Sequence, residues 1–132
     1  MPVADDRVAT ALAALGIAET TVNGIRMRIF SKGPQNLVDW YMDAARNFGS
    51  HTCLVDGADS LSYDETMLRA RVFAEGLRSS FGVRAGERVA ILGRNSLEWM
   101  LAFIGSTWMG AIAVAMNALW QQQELLYGLK NS

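Results

Sequence analysis

Apolar residues recur along this chain in two rhythms, and the switch between them marks its elements. The clearest switch lies between Arg88 and Trp120. Val89-Ala90-Ile91-Leu92 is a short, partly β-branched apolar run closed by Gly93-Arg94-Asn95-Ser96. After it, Trp99, Met100, Phe103, Ile104 and Met109 recur at helical spacing until Gly110 stops the pattern. A second apolar run, Ala111 to Met116, then ends at Asn117. The order strand, helix, strand predicts a βαβ unit, which normally implies a parallel sheet covered by helices.

The same stretch supports a rival reading. No charged residue lies between Glu98 and Glu124, and one helix from Trp99 to Trp120 would be about 33 Å long, enough to cross a bilayer core. Gly105-Ser106-Thr107 and Asn117 inside the run, the Gly110 break, and the lack of a Lys/Arg cluster at either end argue instead for a buried helix turning into a buried strand.

Elsewhere the pattern is shorter but legible. Asp5 or Asp6 to Leu15 predicts a helix with an acidic start, ended by Gly16. Ile25 to Phe30 alternates apolar and basic residues, as a half-buried strand does. Asn36 stands as N-cap before Leu37, Trp40, Tyr41, Ala44, Ala45 and Phe48, with Gly49 ending that helix. His51 to Val55 and Leu61 to Tyr63 predict two strands joined by a turn at Asp56-Gly57-Ala58-Asp59. Ser62 and Glu65 have capping-box spacing and open a helix to about Phe81, with Gly82 as its stop. Its expected buried stripe is Ala70, Phe73, Ala74, Leu77 and Phe81, with Glu65 to Arg69 and Glu75 to Arg78 spaced for surface ion pairs. Gln121 to Lys130 predicts a last helix with Leu125, Leu126 and Leu129 on one side.

Composition narrows the function classes. The 132 residues suggest one domain, and 12 basic against 13 acidic residues leave no polybasic surface for nucleic acid or anionic lipid. Cys53 is the only cysteine, which excludes an internal disulfide and a cysteine metal cluster and fits a cytoplasmic setting. The apolar stretch Val8 to Ala18 follows Asp5 and Asp6 rather than positive charge, so it does not read as an export signal.

Candidate chemistry is sparse. Arg26 and Arg28 read as a solvated strand face rather than an anion site, and His51, the only histidine, as a strand-edge residue rather than a metal ligand or base. Asp64 and Glu65 are neighbours on a helix and point in different directions, which disfavours paired acid-base work. Gly93-Arg94-Asn95-Ser96, at a strand's carboxyl end and a helix's amino end, is the best local anion candidate. One glycine is too few to wrap a triphosphate, so the preferred reading is that Asn95 or Ser96 caps the helix and Arg94 faces water. No catalytic, cofactor-binding or metal-binding residue is therefore assigned.

Five pieces in order and spacing carry a resemblance. Leu61-Ser62-Tyr63-Asp64-Glu65, Gly82 to Ile91, Asn95-Ser96-Leu97-Glu98-Trp99, Gly110 to Asn117, and Glu124-Leu125 together resemble the amino-terminal region of AMP-forming acyl-CoA synthetases, the adenylate-forming enzymes. Gly24 to Phe30 and Asn117 to Leu129 look most like the fatty-acyl and related carboxylate-CoA ligases. Three positions depart from the family pattern: Leu97 and Ala115 where proline is frequent, and Gln121 where Ser or Thr commonly caps the last helix.

The resemblance implies an α/β fold with βαβ units in a mainly parallel sheet flanked by helices, the first portion of a larger N-terminal domain. It places an N-terminal helix and connector at 1–23 and an incomplete subdomain at 24–132. The full-length parent is implied to join a carboxylic acid, possibly fatty, to AMP and then to coenzyme A, using ATP and Mg2+. The family's Gly/Ser/Thr-rich nucleotide loop, its later acidic residue and its C-terminal lysine have no match here, so the chain alone is expected to be inactive scaffold. The remainder of the ligase, or a second copy, is expected to cover its apolar surface. Two alternatives stand beside this: a non-catalytic α/β interaction module, and a membrane-anchored protein spanning 99–120.

Overall fold

The computed structural model describes residues 3–132, with side chains from residue 8 onward. They fall into two compact units, Met1–Gln35 and Asn36–Ser132.

In the first unit, helix α1 (Val3–Ala14) leads into an antiparallel hairpin of β1 (Ile17–Val22) and β2 (Ile25–Phe30). Asn23 and Gly24, both at positive φ, form the tight turn between them, a backbone hand that matches strand twist. β1 is an element that the apolar pattern does not reveal, since its polar Glu19-Thr20-Thr21 interrupts any alternation. The side chains of Asp5 and Asp6, the expected acidic start of α1, lie outside those described. Gly16 ends the helix at φ 72°, and its carbonyl accepts from both the N–H and the hydroxyl of Ser31 at 2.7 and 2.8 Å. Arg26 pairs with Glu19 at 2.9 Å, but all six residues of β2 are exposed, so the apolar face expected to be buried in a half-buried strand is left uncovered.

The second unit contains α2 (Leu37–Phe48), β3 (Thr52–Asp56), β4 (Asp59–Ser62), α3 (Tyr63–Phe81), β5 (Arg88–Leu92), α4 (Leu97–Trp108), β6 (Ile112–Met116) and α5 (Gln122–Asn131). Asn36 caps α2 by accepting from Asp39 N–H at 2.9 Å. β3 and β4 pair antiparallel, while β5 and β6 pair parallel from Arg88 opposite Ile112 to Leu92 opposite Met116. The βαβ unit is therefore present. Among the described residues the strands form three separate two-stranded sheets, of which one is parallel. A mainly parallel sheet is thus not seen, because no third strand joins β5 and β6.

The stretch 99–120 is not one helix. α4 stops at Trp108, Gly110 turns the chain at φ 84°, and β6 follows. No helix among the described residues is long and apolar enough to cross a membrane. The physical cause is pairing: the backbone after Gly110 bonds across to β5, with Ile112 N–H donating to Glu87 carbonyl at 2.8 Å.

The core lies between α3 and α4. Met67, Ala70 and Ile104 form its centre, with Tyr41, Ala45, Leu101, Phe103 and Trp108 packed around it. The α3 stripe is shifted from the expected one. Thr66 and Met67 are buried beside Ala70 and Ala74, whereas Phe81 is 79% exposed. The reason is that α4 packs on the middle of α3, where Gly105 lies against Ala70, Phe73 and Ala74, and leaves the end of α3 uncovered. On α5 it is Gly128 that is buried, against Met116 and Trp120, while Leu126 and Leu129 stay exposed.

The capping box of α3 forms as its spacing predicts. Ser62 Oγ accepts from Glu65 N–H at 3.2 Å, and the Glu65 carboxylate accepts from Ser62 N–H at 2.8 Å and from its hydroxyl at 2.9 Å. These bonds, the backbone one foremost, hold the Glu65 carboxyl below its ordinary value. A depressed folded-state value adds stability above the unfolded pKa of about 4.3, lost as pH falls through the folded value. Melting temperatures of the wild type and Glu65→Gln are accordingly expected to differ near pH ~6 and to converge toward pH ~3. A gap that stays constant over that range would contradict the box. Glu75 and Arg78 form their expected ion pair.

Candidate functional site

The best sequence candidate sits where a ligand would sit in an open α/β fold, outside the carboxyl ends of parallel strands. β5 ends at Leu92 and β6 at Met116, and the loops that follow enclose a crevice of about 740 Å3. Gly93, Arg94, Asn95 and Trp99 line one side, and Ala115 to Leu119 the other.

Local bonds fix both loops. Ser96, rather than Asn95, caps α4 by accepting from Trp99 N–H at 3.2 Å. The Trp99 ring stacks on Phe103, centroids 5.8 Å apart and nearly parallel. Asn117 Oδ1 accepts from Leu119 N–H at 2.9 Å, closing the turn after β6. Glu98 is held below its ordinary pKa by its own backbone N–H and by the Ser96 hydroxyl, so it remains an anion at the amino end of α4. Arg94 is exposed and makes no ion pair among the described residues.

The crevice does not fit a nucleotide's phosphates. Gly93 is not among the positive-φ glycines, and a Cβ placed there would make only an ordinary contact of 3.6 Å with Trp99. A phosphate cradle needs successive N–H groups turned to one point by glycine, and a single glycine in ordinary backbone supplies none. Among the described residues no group of three or more His, Cys, Asp or Glu is placed to hold a metal.

The remaining candidates lie apart from the crevice. His51 precedes β3, its Nδ1 3.1 Å from the Phe48 carbonyl and its ring edge-on to Phe48. Cys53 lines a separate apolar cavity of about 380 Å3 with Trp40, Tyr41, Tyr63, Met67 and Phe103. Burial pushes its thiol pKa up, and the Thr66 hydroxyl offsets this only in part, which disfavours the nucleophilic thiolate. Asp64 and Glu65 do not converge, since Glu65 is engaged in the capping box.

Comparison with known proteins gives the family. The sequence model described as AMP-binding enzyme matches residues 41–132. The chain belongs to the AMP-binding enzyme family. Within that family it is 30% identical over 98 residues to a long-chain-fatty-acid–CoA ligase of Salmonella typhimurium, covering 74% of this chain and 18% of the relative. It is 38% identical over 82 residues to 4-coumarate–CoA ligase 3 of Arabidopsis thaliana, covering 61% and 14%.

Among solved AMP-binding enzymes, an anthranilate CoA ligase in complex with anthranoyl-AMP superposes with a TM-score of 0.69 at 31% identity, over 75% of this chain and 19% of that one. O-succinylbenzoate Coenzyme A Synthetase from Bacillus subtilis gives 0.66 at 26%, over 70% and 24%. The α/β architecture is that of the N-terminal domain of adenylate-forming CoA ligases. The chain spans less than a fifth of the length of the two curated relatives.

Proposed function

We propose that this chain is the amino-terminal portion of an ATP-dependent, AMP-forming carboxylate-CoA ligase and acts in it as scaffold. The observation that carries this reading is the family match over residues 41–132 in a chain covering 18% or less of those curated relatives. The complete enzyme would convert an acid and ATP to an acyl adenylate and then to an acyl-CoA in the cytoplasm. Its substrate class is a fatty or aryl carboxylate, following the relatives named long-chain-fatty-acid–CoA ligase and 4-coumarate–CoA ligase. ATP, Mg2+ and coenzyme A would be held by the rest of the enzyme, a reading supported by the lack of a glycine-turned phosphate cradle in the β5–β6 crevice.

Unpaired structure supports the scaffold role. β5 and β6 form a parallel pair with no further strand, although parallel strands are normally found in wider sheets covered on both faces. Phe81, Leu119 and Tyr127 are large and mostly exposed. Strands and helices from the rest of the ligase would extend the pair and cover these side chains.

Carboxylate-dependent exchange of labelled pyrophosphate into ATP tests the reading. The purified 132-residue chain is expected to give no exchange above a no-enzyme blank with palmitate, 4-coumarate or anthranilate as acid. Exchange with any of them would overturn the assignment of this chain to scaffold alone.

A further inference from the structure

A second surface, away from the β5–β6 crevice, carries a charge that the chain as a whole does not. α3, the connector after it and the end of α4 border a groove of about 1000 Å3. Three arginines line it, Arg71, Arg78 and Arg84, against one carboxylate, Glu75, in a chain of net charge -1.

Local structure accounts for one of these cations. Arg78 is in the last turn of α3, where the helix dipole favours positive charge, and it is paired with Glu75. Arg71 is mid-helix, beyond the reach of that effect, and lies over the Trp108 ring at 5.6 Å from its centroid. Arg84 is outside any helix. Its N–H donates to the Glu87 carboxylate at 2.7 Å, which fixes the connector, while its guanidinium has no ion-pair partner among the described residues. Two exposed guanidinium groups, one over the Trp108 ring and one on the connector, thus have no ion-pair partner among the described residues.

Apolar positions alternate with the cations. Leu68 and Val72 are 64% and 66% exposed, and with Arg71, Glu75 and Arg78 they follow i, i+3, i+4, i+7, i+10 spacing. That spacing places all five within about a third of the helix circumference. A helix laid along such a face meets it with its own i, i+3, i+4 and i+7 positions, apolar against Leu68 and Val72, acidic against Arg71 and Arg84. Carboxylates can take guanidinium groups in two-pronged hydrogen bonds.

We propose that this groove docks an acidic amphipathic helix of a partner protein. A single-stranded nucleic acid fits less well, because Trp108 is the one aromatic ring in the groove and the Leu68–Val72 ridge offers bases no stacking platform. The proposal concerns this chain's own surface and does not depend on the ligase reading.

The test uses the 15N-labelled chain and a synthetic peptide of about 18 residues with Leu at helical spacing and Glu elsewhere. Binding is expected to shift the amides of Leu68, Arg71, Val72 and Arg84 and the Trp108 indole N–H. Arg71→Glu with Arg84→Glu is expected to weaken it by about tenfold or more. Should that double variant lose its native circular dichroism, Arg71→Gln with Arg84→Gln replaces it, with a smaller loss in the same direction. Equal affinity for a Lys-for-Glu peptide, tighter binding of an oligothymidylate, shifts confined to another face, or no binding at about 1 mM peptide would each overturn the proposal.

Discussion

Ile104→Ala is expected to destabilise the folded chain by about 2 to 5 kcal/mol, the range for removing most of a buried aliphatic side chain. Ile104 is 4% exposed and sits with Met67 and Ala70 at the centre of the α3–α4 packing. Two terms add: the apolar surface no longer removed from water, and a cavity that Tyr41, Leu101 and Phe103 cannot fill without leaving their own contacts. Small domains are stable by only about 5 to 15 kcal/mol, so a large part of the margin would go. Urea unfolding followed by far-ultraviolet circular dichroism measures it, with a lower midpoint at unchanged slope as the expected result. A loss below about 0.5 kcal/mol, typical of surface sites, would show that this core is not closed.

Gly105→Ala should cost about 1 to 3 kcal/mol although alanine is the better helix former, because the added methyl has no room. Its Cβ would lie 2.6 Å from the Ala70 carbonyl oxygen and 2.8 Å from Phe73 Cδ1. The phenyl ring can turn away, but the carbonyl is part of the α3 backbone and moves only if the two helices separate. Gly76→Ala is the matched control: it too is a glycine inside a helix, α3, and a Cβ added there would meet nothing within 4 Å. That control is expected to be neutral or stabilising by up to about 1 kcal/mol. If both substitutions behaved alike in thermal melts, helix propensity rather than interhelical closeness would govern Gly105.

These two sites differ in how far the sequence exposes them. Ile104 is recognisable beforehand, since Trp99, Met100, Phe103 and Ile104 repeat at helical spacing and an apolar face must be buried somewhere. Gly105 reads from sequence only as a small residue that argues against a membrane helix. Its role exists only once α3 is laid against it. Phe81 shows the reverse: it has the right spacing for the buried stripe of α3, but α4 does not reach the end of that helix, so the ring faces water.

The candidate site divides in the same way. The strand end and helix cap at Gly93 to Ser96 are legible because capping and turn chemistry are local. The arginine groove is not, because Arg71, Arg84 and Trp108 are far apart in the chain and meet only through the α3–α4 crossing and the connector that returns to β5. Sequence spacing singles out Arg78 alone, through Glu75.

By itself the sequence determined the local elements of this protein: the capping box at Ser62, the N-cap at Asn36, a cap at Asn95 or Ser96 that the structure resolves to Ser96, the glycine stops at Gly16 and Gly82, and the strand-helix-strand order after Arg88. Each follows from backbone torsions and hydrogen bonds closed within a few residues. The tertiary structure alone decided which strands pair, which part of α3 is covered, why Gly105 must be glycine, and where unmatched positive charge gathers. Those outcomes depend on contacts between residues distant in sequence, which no local period encodes.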